Sequence, residues 1–228
     1  RYLAAVGVSF LLVVALVSRL KKTDFFSSIP CPDIIQYLDL VALGTVCDVM
    51  PLVRLNRAFV AQGLKIMSRR GNTGIKVLSD MARLDTAPNC YHLGYVIGPR
   101  INAGGRVGKA DLGSRLLSTL SEEEAEHIAL ELEKYNAERK AIENLMLQEA
   151  LMEAEKQAHR NVIVITGQGW HPGVIGIIAG RVKEKYQKPT AIIAVNDAIG
   201  KASCRSVKGV NFGAKIVEAK LQGILDAG

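Results

Sequence analysis

The chain has 228 residues, 49% of them apolar and 22% charged, which supports a packed core and excludes a disordered segment. A net charge of +7 and a pI near 9.3 point to an anionic partner, either nucleic acid or a membrane surface. Aromatic residues make up only 5%, which excludes a binding face tiled with many stacking rings. Cys31, Cys47, Cys90 and Cys204 form no C-x-x-C pair and have no histidine at zinc-ligand spacing, so they read as reduced thiols of a cytosolic protein.

In chain order, residues 2–18 carry no charge and are followed by Arg19, Lys21 and Lys22. The length approaches the roughly 20 residues of a membrane span. Nothing else in the chain points to a membrane, and the run is expected to be a helix buried on all sides of a larger domain. Arg1 is not a methionine and the marks of a signal peptide are weak, so the chain reads as a piece of something longer. Residues 23–32 are loop-like, and Asp33 caps a helical run over 34–43. That run ends at Gly44-Thr-Val-Cys-Asp-Val-Met-Pro51, where Asp48 is a lone carboxylate between apolar neighbours. A buried acid must be paired, protonated or metal-bound. Asp48 is therefore either a turn-capping aspartate or a metal ligand.

Residues 56–70 predict a helix closed by Gly71, and 75–82 a short one. Residues 98–108 form a glycine-rich segment expected to be flexible, carrying Arg100, Asn102 and Arg106. Arginines beside backbone amides can clamp phosphate oxygens, and the alternative is a solvated basic loop. After a short helix at 111–118, Ser121 and Glu124 have the spacing of a capping box. It opens a long amphipathic helix reaching about residue 159, on the order of 55 Å.

The remainder alternates strand and helix: a strand at 162–165, a helix at 174–186, strands at 190–195 and 201–206, and a helix from about 212 to 225. Between the first strand and its helix lies a loop with Gly167, Gly169 and Gly173. Such a turn at a helix start suits a phosphate, although the glycines could serve tight packing alone. Trp170, the single tryptophan, and His171 stand at its tip, where an indole can stack on a base and an imidazole can donate to a phosphate. Lys201, Arg205 and Lys208 are expected to gather near this loop as a positive groove.

Several stretches, taken together, resemble the RecJ family of single-strand-specific exonucleases in the DHH phosphoesterase superfamily. They are Leu3-Ala-Ala-Val-Gly-Val-Ser-Phe10, Leu38-Asp-Leu-Val-Ala-Leu-Gly-Thr-Val-Cys-Asp-Val-Met-Pro-Leu52 and Gly98-Pro-Arg-Ile-Asn-Ala-Gly-Gly-Arg106. Asn136-Ala-Glu-Arg139, Gly169-Trp-His-Pro-Gly-Val-Ile-Gly176 and Gly200-Lys-Ala-Ser-Cys-Arg-Ser206 complete the set. The resemblance implies an α/β protein: the C-terminal part of a DHH catalytic domain (1–120), a long connecting helix (121–159) and a DHH-associated domain with a mixed sheet (160–228). It implies that Asp48 is a catalytic ligand of a two-metal centre, usually Mn2+ or Mg2+. It also implies that Arg100, Asn102, Arg106, Trp170, His171, Lys201 and Arg205 contact single-stranded DNA in a basic channel between two domains. The implied activity is 5′-to-3′ hydrolysis of phosphodiester bonds in DNA repair and recombination. It would take place in the cytoplasm, with a single-strand-binding protein or helicase as partners and no membrane.

The family's N-terminal aspartate pair and Asp-His-His sequence are absent and are expected to precede Arg1. Its C-terminal Gly-Gly-His is likewise absent, and Ala202 and Cys204 stand where glycine is usual. The chain alone is therefore expected not to hydrolyse DNA. The alternatives are a phosphodiesterase of the same superfamily acting on oligonucleotides or cyclic dinucleotides, a non-catalytic nucleic-acid-binding homologue, and, resting only on residues 2–18, a membrane-anchored protein.

Overall fold

The uncharged N-terminal run coils into α1 (Ala5–Leu20) in the computed structural model, which describes residues 3–197 and 199–227. Gly7, Phe10 and Val17 are buried along one stripe, while Val8, Leu12 and Leu16 are more than half exposed. The expectation of burial on all sides is thus corrected, because only the face at helical spacing meets a neighbour. Among the described residues, no helix is long and apolar enough to cross a membrane.

The carboxylate of Asp33 accepts from the Ile35 N–H at 3.0 Å, starting a short 3-10 turn that leads into α2 (Leu38–Cys47). α3 (Arg54–Met67) crosses α2 closely: a Cβ on Gly63 would stand 2.1 Å from the Leu38 carbonyl oxygen. Phe10 of α1 and Phe59 of α3 meet edge to face at 5.5 Å. α4 (Thr73–Met81) is capped by Asn72, whose side chain accepts from the Ile75 N–H at 2.9 Å.

A π-helical turn, His92–Ile97, runs directly into α5 (Gly98–Val107). The glycine-rich segment expected to be flexible is therefore a helix, and its glycines give close approach rather than freedom. A Cβ on Gly98 would lie 2.4 Å from Cys47 Sγ, and one on Gly104 would lie 2.5 Å from the Lys109 carbonyl oxygen. α6 (Leu112–Ser118) precedes α7 (Glu122–Lys156), a 35-residue helix. Half of the capping box forms, with Ser121 Oγ accepting from the Glu124 N–H. The other half does not, since the Glu124 carboxylate accepts from the Thr119 hydroxyl and from Arg115 instead.

The chain divides within α7 into two compact units, Arg1–Asn136 and Ala137–Gly228. The core of the first gathers Leu78, Leu93, Ile97 and Leu116 with Ala125, Ile128 and Leu132 from the start of α7. The second holds β1 (Ile163–Gln168), α8 (Ile175–Tyr186), β2 (Thr190–Asn196), β3 (Ile199–Arg205) and α9 (Phe212–Leu221). The sheet order is β1-β2-β3, with β1 parallel and β3 antiparallel to β2, the mixed sheet expected. A parallel pair needs a crossover, and α8 supplies it.

Three α7 carboxylates hold this second unit together. Glu143 accepts from Arg181, Glu149 from Trp170 Nε1 and Glu155 from the Tyr186 hydroxyl. Buried Glu143 also pairs with buried Arg139. The Gln157 amide bonds both the N–H and the C=O of Val164, closing the outer edge of β1.

Candidate nucleic-acid interface

In the second unit the chain leaves β1 through Gly169, whose φ of +70° is a left-handed conformation suited to glycine. Its N–H donates to the Val195 carbonyl at 3.0 Å. The turn sends Trp170 inward. The indole lies so close over Gly167 that a Cβ there would be 1.9 Å from Cδ2. Nε1 donates to Glu149 Oε2 at 2.8 Å, and the residue is only 7% exposed. The base-stacking role expected of Trp170 is corrected, because a buried ring offers no open face. It pins the loop to α7 instead.

His171 follows, partly buried, with Nδ1 accepting from the Gly173 N–H at 3.1 Å. An imidazole whose Nδ1 accepts carries its proton on Nε2 when neutral, which leaves Nε2 as a donor. α8 begins just beyond with no side-chain cap: the Ile177 N–H turns back to the Val174 carbonyl at 2.9 Å, and the N–H groups of Ile175 and Gly176 at the helix start receive no capping oxygen.

β3 brings its own donors to the same place. Register pairs Arg205 with Thr190, Ser203 with Ile192 and Lys201 with Ala194, so these three β3 side chains share one face of the sheet. Arg205 Nη2 and Ser203 Oγ lie 3.2 and 3.3 Å from where a Cβ on Gly176 would be, above the first turn of α8. Arg205 Nη1 donates to Ser203 Oγ at 3.2 Å and to the Cys204 carbonyl at 3.0 Å, which fixes the guanidinium. Lys201 is exposed, and Lys208 stands exposed beyond the end of β3. Ser203 was not foreseen from the sequence, although the alternation Lys201, Ser203, Arg205 carried the signal.

In the first unit, Asp48 caps the C-terminus of α2 and is exposed rather than buried. It lines a cavity of about 470 Å³ together with Asn102, Val6, Gly44, Cys47 and Gly98, among others. Helix packing thus joins Asp48 and Asn102 from distant parts of the chain. Burial, and then the charge of Asp48, push the neighbouring Cys47 thiol up to about 11. Asn102 and Arg106, one turn apart, are both exposed on α5. Arg100 is not, with its side chain 16% exposed. Its Nε donates to Glu133 of α7 and its Nη1 to the Val96 carbonyl at 2.8 Å. The free clamp expected of Arg100 is corrected to an ion pair that holds α5 on α7. Among the described residues, no three His, Cys, Asp or Glu side chains meet to hold a metal ion.

Residues 159–228 match the DHHA1 domain family. The chain is 38% identical over 220 residues to the single-stranded-DNA-specific exonuclease RecJ of Salmonella typhimurium, covering 92% of this chain and 38% of the relative. RecJ of Bacillus subtilis is 33% identical over 222 residues, covering 96% of this chain and 27% of the relative. Among solved structures, RecJ of Thermus thermophilus in complex with Mg2+ superposes with a TM-score of 0.76 at 33% identity, over 86% of this chain and 30% of that one. An exonuclease RecJ bound to manganese gives a TM-score of 0.72 at 32% identity, over 86% of this chain and 49% of that one. The chain therefore spans less than half the length of each of these relatives.

Proposed function

We propose that the chain, similar to RecJ over 92% of its length, belongs to the RecJ family of the DHH superfamily and is the strand-holding part of a metal-dependent exonuclease that hydrolyses single-stranded DNA from its 5′ end. The observation that carries this reading is the start of α8. There Arg205 and Ser203 stand over Gly176, five residues after His171, at a helix end without a side-chain cap. Charged and neutral donors converging on uncapped N–H groups suit a phosphate oxygen. Contacts of this kind read the backbone and not the bases, as an enzyme indifferent to sequence requires. Lys201 extends the positive face along β3, and on the first unit Asn102 and Arg106 offer further backbone contacts.

Asp48 would be one ligand of the Mn2+ or Mg2+ ions that the related RecJ structures contain. One carboxylate and one amide do not make a two-metal centre, which needs several anionic ligands. The purified chain is therefore expected to bind unpaired DNA without cutting it. A role in cytoplasmic DNA repair and recombination follows from this reading, with the strand handed over by a helicase or a single-strand-binding protein.

Fluorescence anisotropy with a 5′-labelled twelve-residue oligothymidylate tests the proposal. Binding should weaken steeply as salt rises, and Arg205→Gln should weaken it about tenfold, the loss of one charged phosphate contact. Unchanged binding by Arg205→Gln at moderate salt would overturn the proposed site. Manganese-dependent release of labelled product by the 228-residue chain would overturn the expected lack of cleavage.

A further inference from the structure

Tyr91, just before the π-helical turn, and Tyr95 within it stack on each other, with ring centroids 5.1 Å apart and an interplanar angle of 27°. Stacked tyrosines in a protein usually contribute to a core, yet these are 64% and 74% exposed. His92 meets Tyr91 edge-on at 6.2 Å and braces the inner ring. The outer ring, Tyr95, is the more exposed of the two. Both rings line a cavity of about 510 Å³ whose other walls include Val46, Cys47, Val49 and Met50.

This cavity and the one lined by Asp48 and Asn102 share Cys47. Asp48 stands between Cys47 and Val49 in the chain, so the aromatic ledge and the carboxylate flank the same turn. Val49 is 86% exposed and has a φ of +53°. That conformation closes α2, where the Val49 N–H bonds the Val46 carbonyl at 3.0 Å and the Met50 N–H the Thr45 carbonyl at 3.2 Å, and these bonds fix the turn between the two cavities.

We propose that Tyr95, backed by Tyr91, is a stacking ledge for a base of the unpaired strand whose backbone passes Asp48 and Asn102. The inference rests on the strand-binding reading above and adds to it the group that recognises bases. Apart from the two phenol hydroxyls, the side chains lining this cavity are aliphatic or thiol-bearing and present no strong donor or acceptor pattern to a base edge. Every base has a π face, so such a ledge takes any of them. The continuity with the Asp48 cavity favours a strand over a protein partner, because a strand presents bases and phosphates at alternating positions along one path.

The test uses the whole chain and two 5′-fluorescein twelve-mers, oligothymidylate and the same backbone with abasic tetrahydrofuran units throughout. The wild type should bind the thymidylate about tenfold more tightly, the size expected of one stacked base. Tyr95→Ala should remove that preference by weakening thymidylate binding about tenfold while leaving the abasic strand unaffected, and Tyr95→Phe should restore it. Tyr95 is exposed, so its truncation leaves the core intact, and an unchanged circular-dichroism melt confirms this. Equal binding of both strands by the wild type, or equal loss on both in Tyr95→Ala, overturns the ledge. Arg205→Gln should weaken both strands by the same factor. A failure there, with the base preference intact, refutes the phosphate site and leaves the ledge standing. A wild-type chain that holds neither strand overturns both.

Discussion

The inward turn of Trp170 makes a prediction with a sign opposite to that of a stacking residue. Trp170→Ala deletes a ring that is 7% exposed, and truncations of this kind cost about 3–5 kcal/mol. The second unit has about 90 residues, for which each kcal/mol moves the melting temperature by roughly 5 °C, so the Ala variant should lose on the order of 15–25 °C. Trp170→Phe is gentler. It keeps most of the ring and gives up the Nε1 bond to Glu149, which is itself exposed and not stranded as a buried charge. About 1–2 kcal/mol, or roughly 5–10 °C, is the expected loss. Circular-dichroism melts measure both variants, and acrylamide quenching of the single tryptophan checks that the wild-type ring is shielded. At a temperature well below its melt, Trp170→Phe should hold labelled oligothymidylate as tightly as the wild type. A Phe variant that melts with the wild type but binds the strand tenfold more weakly would refute the reasoning, since the indole would then be facing the ligand.

Further expectations concern neighbouring groups. Gly176→Ala places a Cβ 3.2 Å from Arg205 Nη2 and 3.3 Å from Ser203 Oγ, while improving helix propensity by about 1 kcal/mol. Strand affinity should fall several-fold with the melting temperature unchanged or raised, and an affinity equal to wild type would place the phosphate elsewhere. With its thiol pushed up to about 11, Cys47 should react with Ellman's reagent at pH 8 about tenfold more slowly than a free thiol, since a roughly 100-fold loss of thiolate is partly offset by a more nucleophilic sulfur, and also more slowly than exposed Cys31. Comparable rates for Cys31→Ser and Cys47→Ser variants would contradict the burial. Burial also raises the Asp39 carboxyl above its ordinary 3.8, so the folded chain holds that proton more tightly than the unfolded chain. The Asp39 contribution to stability is then most favourable below pH 3.8 and declines as pH rises through the raised folded value. Asp39→Asn removes that decline. Its melting temperature should gain on wild type as pH rises across the window, and a constant difference would rule the cause out.

Elements with strong periodicity could be read directly from the residues. The long helix, the β1-α8-β2 crossover and the Asp33 cap all follow local rules that tertiary packing did not override. Glycine was the main source of error, because a string of letters does not distinguish freedom from closeness. In 98–108 the glycines let α5 press on Cys47 and on the Lys109 backbone, so a segment that reads as a loop is a helix. At Gly167 the same property admits an indole, so a residue at the apparent tip of a turn is buried.

Candidate site residues divided by direction, which sequence does not encode. Arg205 and His171 stand where donors can meet a phosphate, and the period-two spacing along β3 already placed Arg205 and Lys201 on one face. Arg100, six residues before Arg106 on the same helix, faces a glutamate that lies thirty-three positions along the chain. Tyr91 and Tyr95 carry no signal in the sequence, where two tyrosines four residues apart look ordinary, and only the stacking of their rings outside the core marks them.

The way α7 is shared has a practical consequence for anyone cutting this chain into pieces. The matched DHHA1 segment begins at residue 159, but the groups that seat its loop and its helix are Glu143, Glu149 and Glu155, and Met146, Ala150 and Ala154 are buried on the same stretch. A clone that starts at the family boundary would leave Trp170 without its acceptor and α8 without the carboxylates that bind Arg181 and Tyr186. An expression boundary near Ala137 keeps these contacts, and with them an independently studied C-terminal half becomes a realistic object.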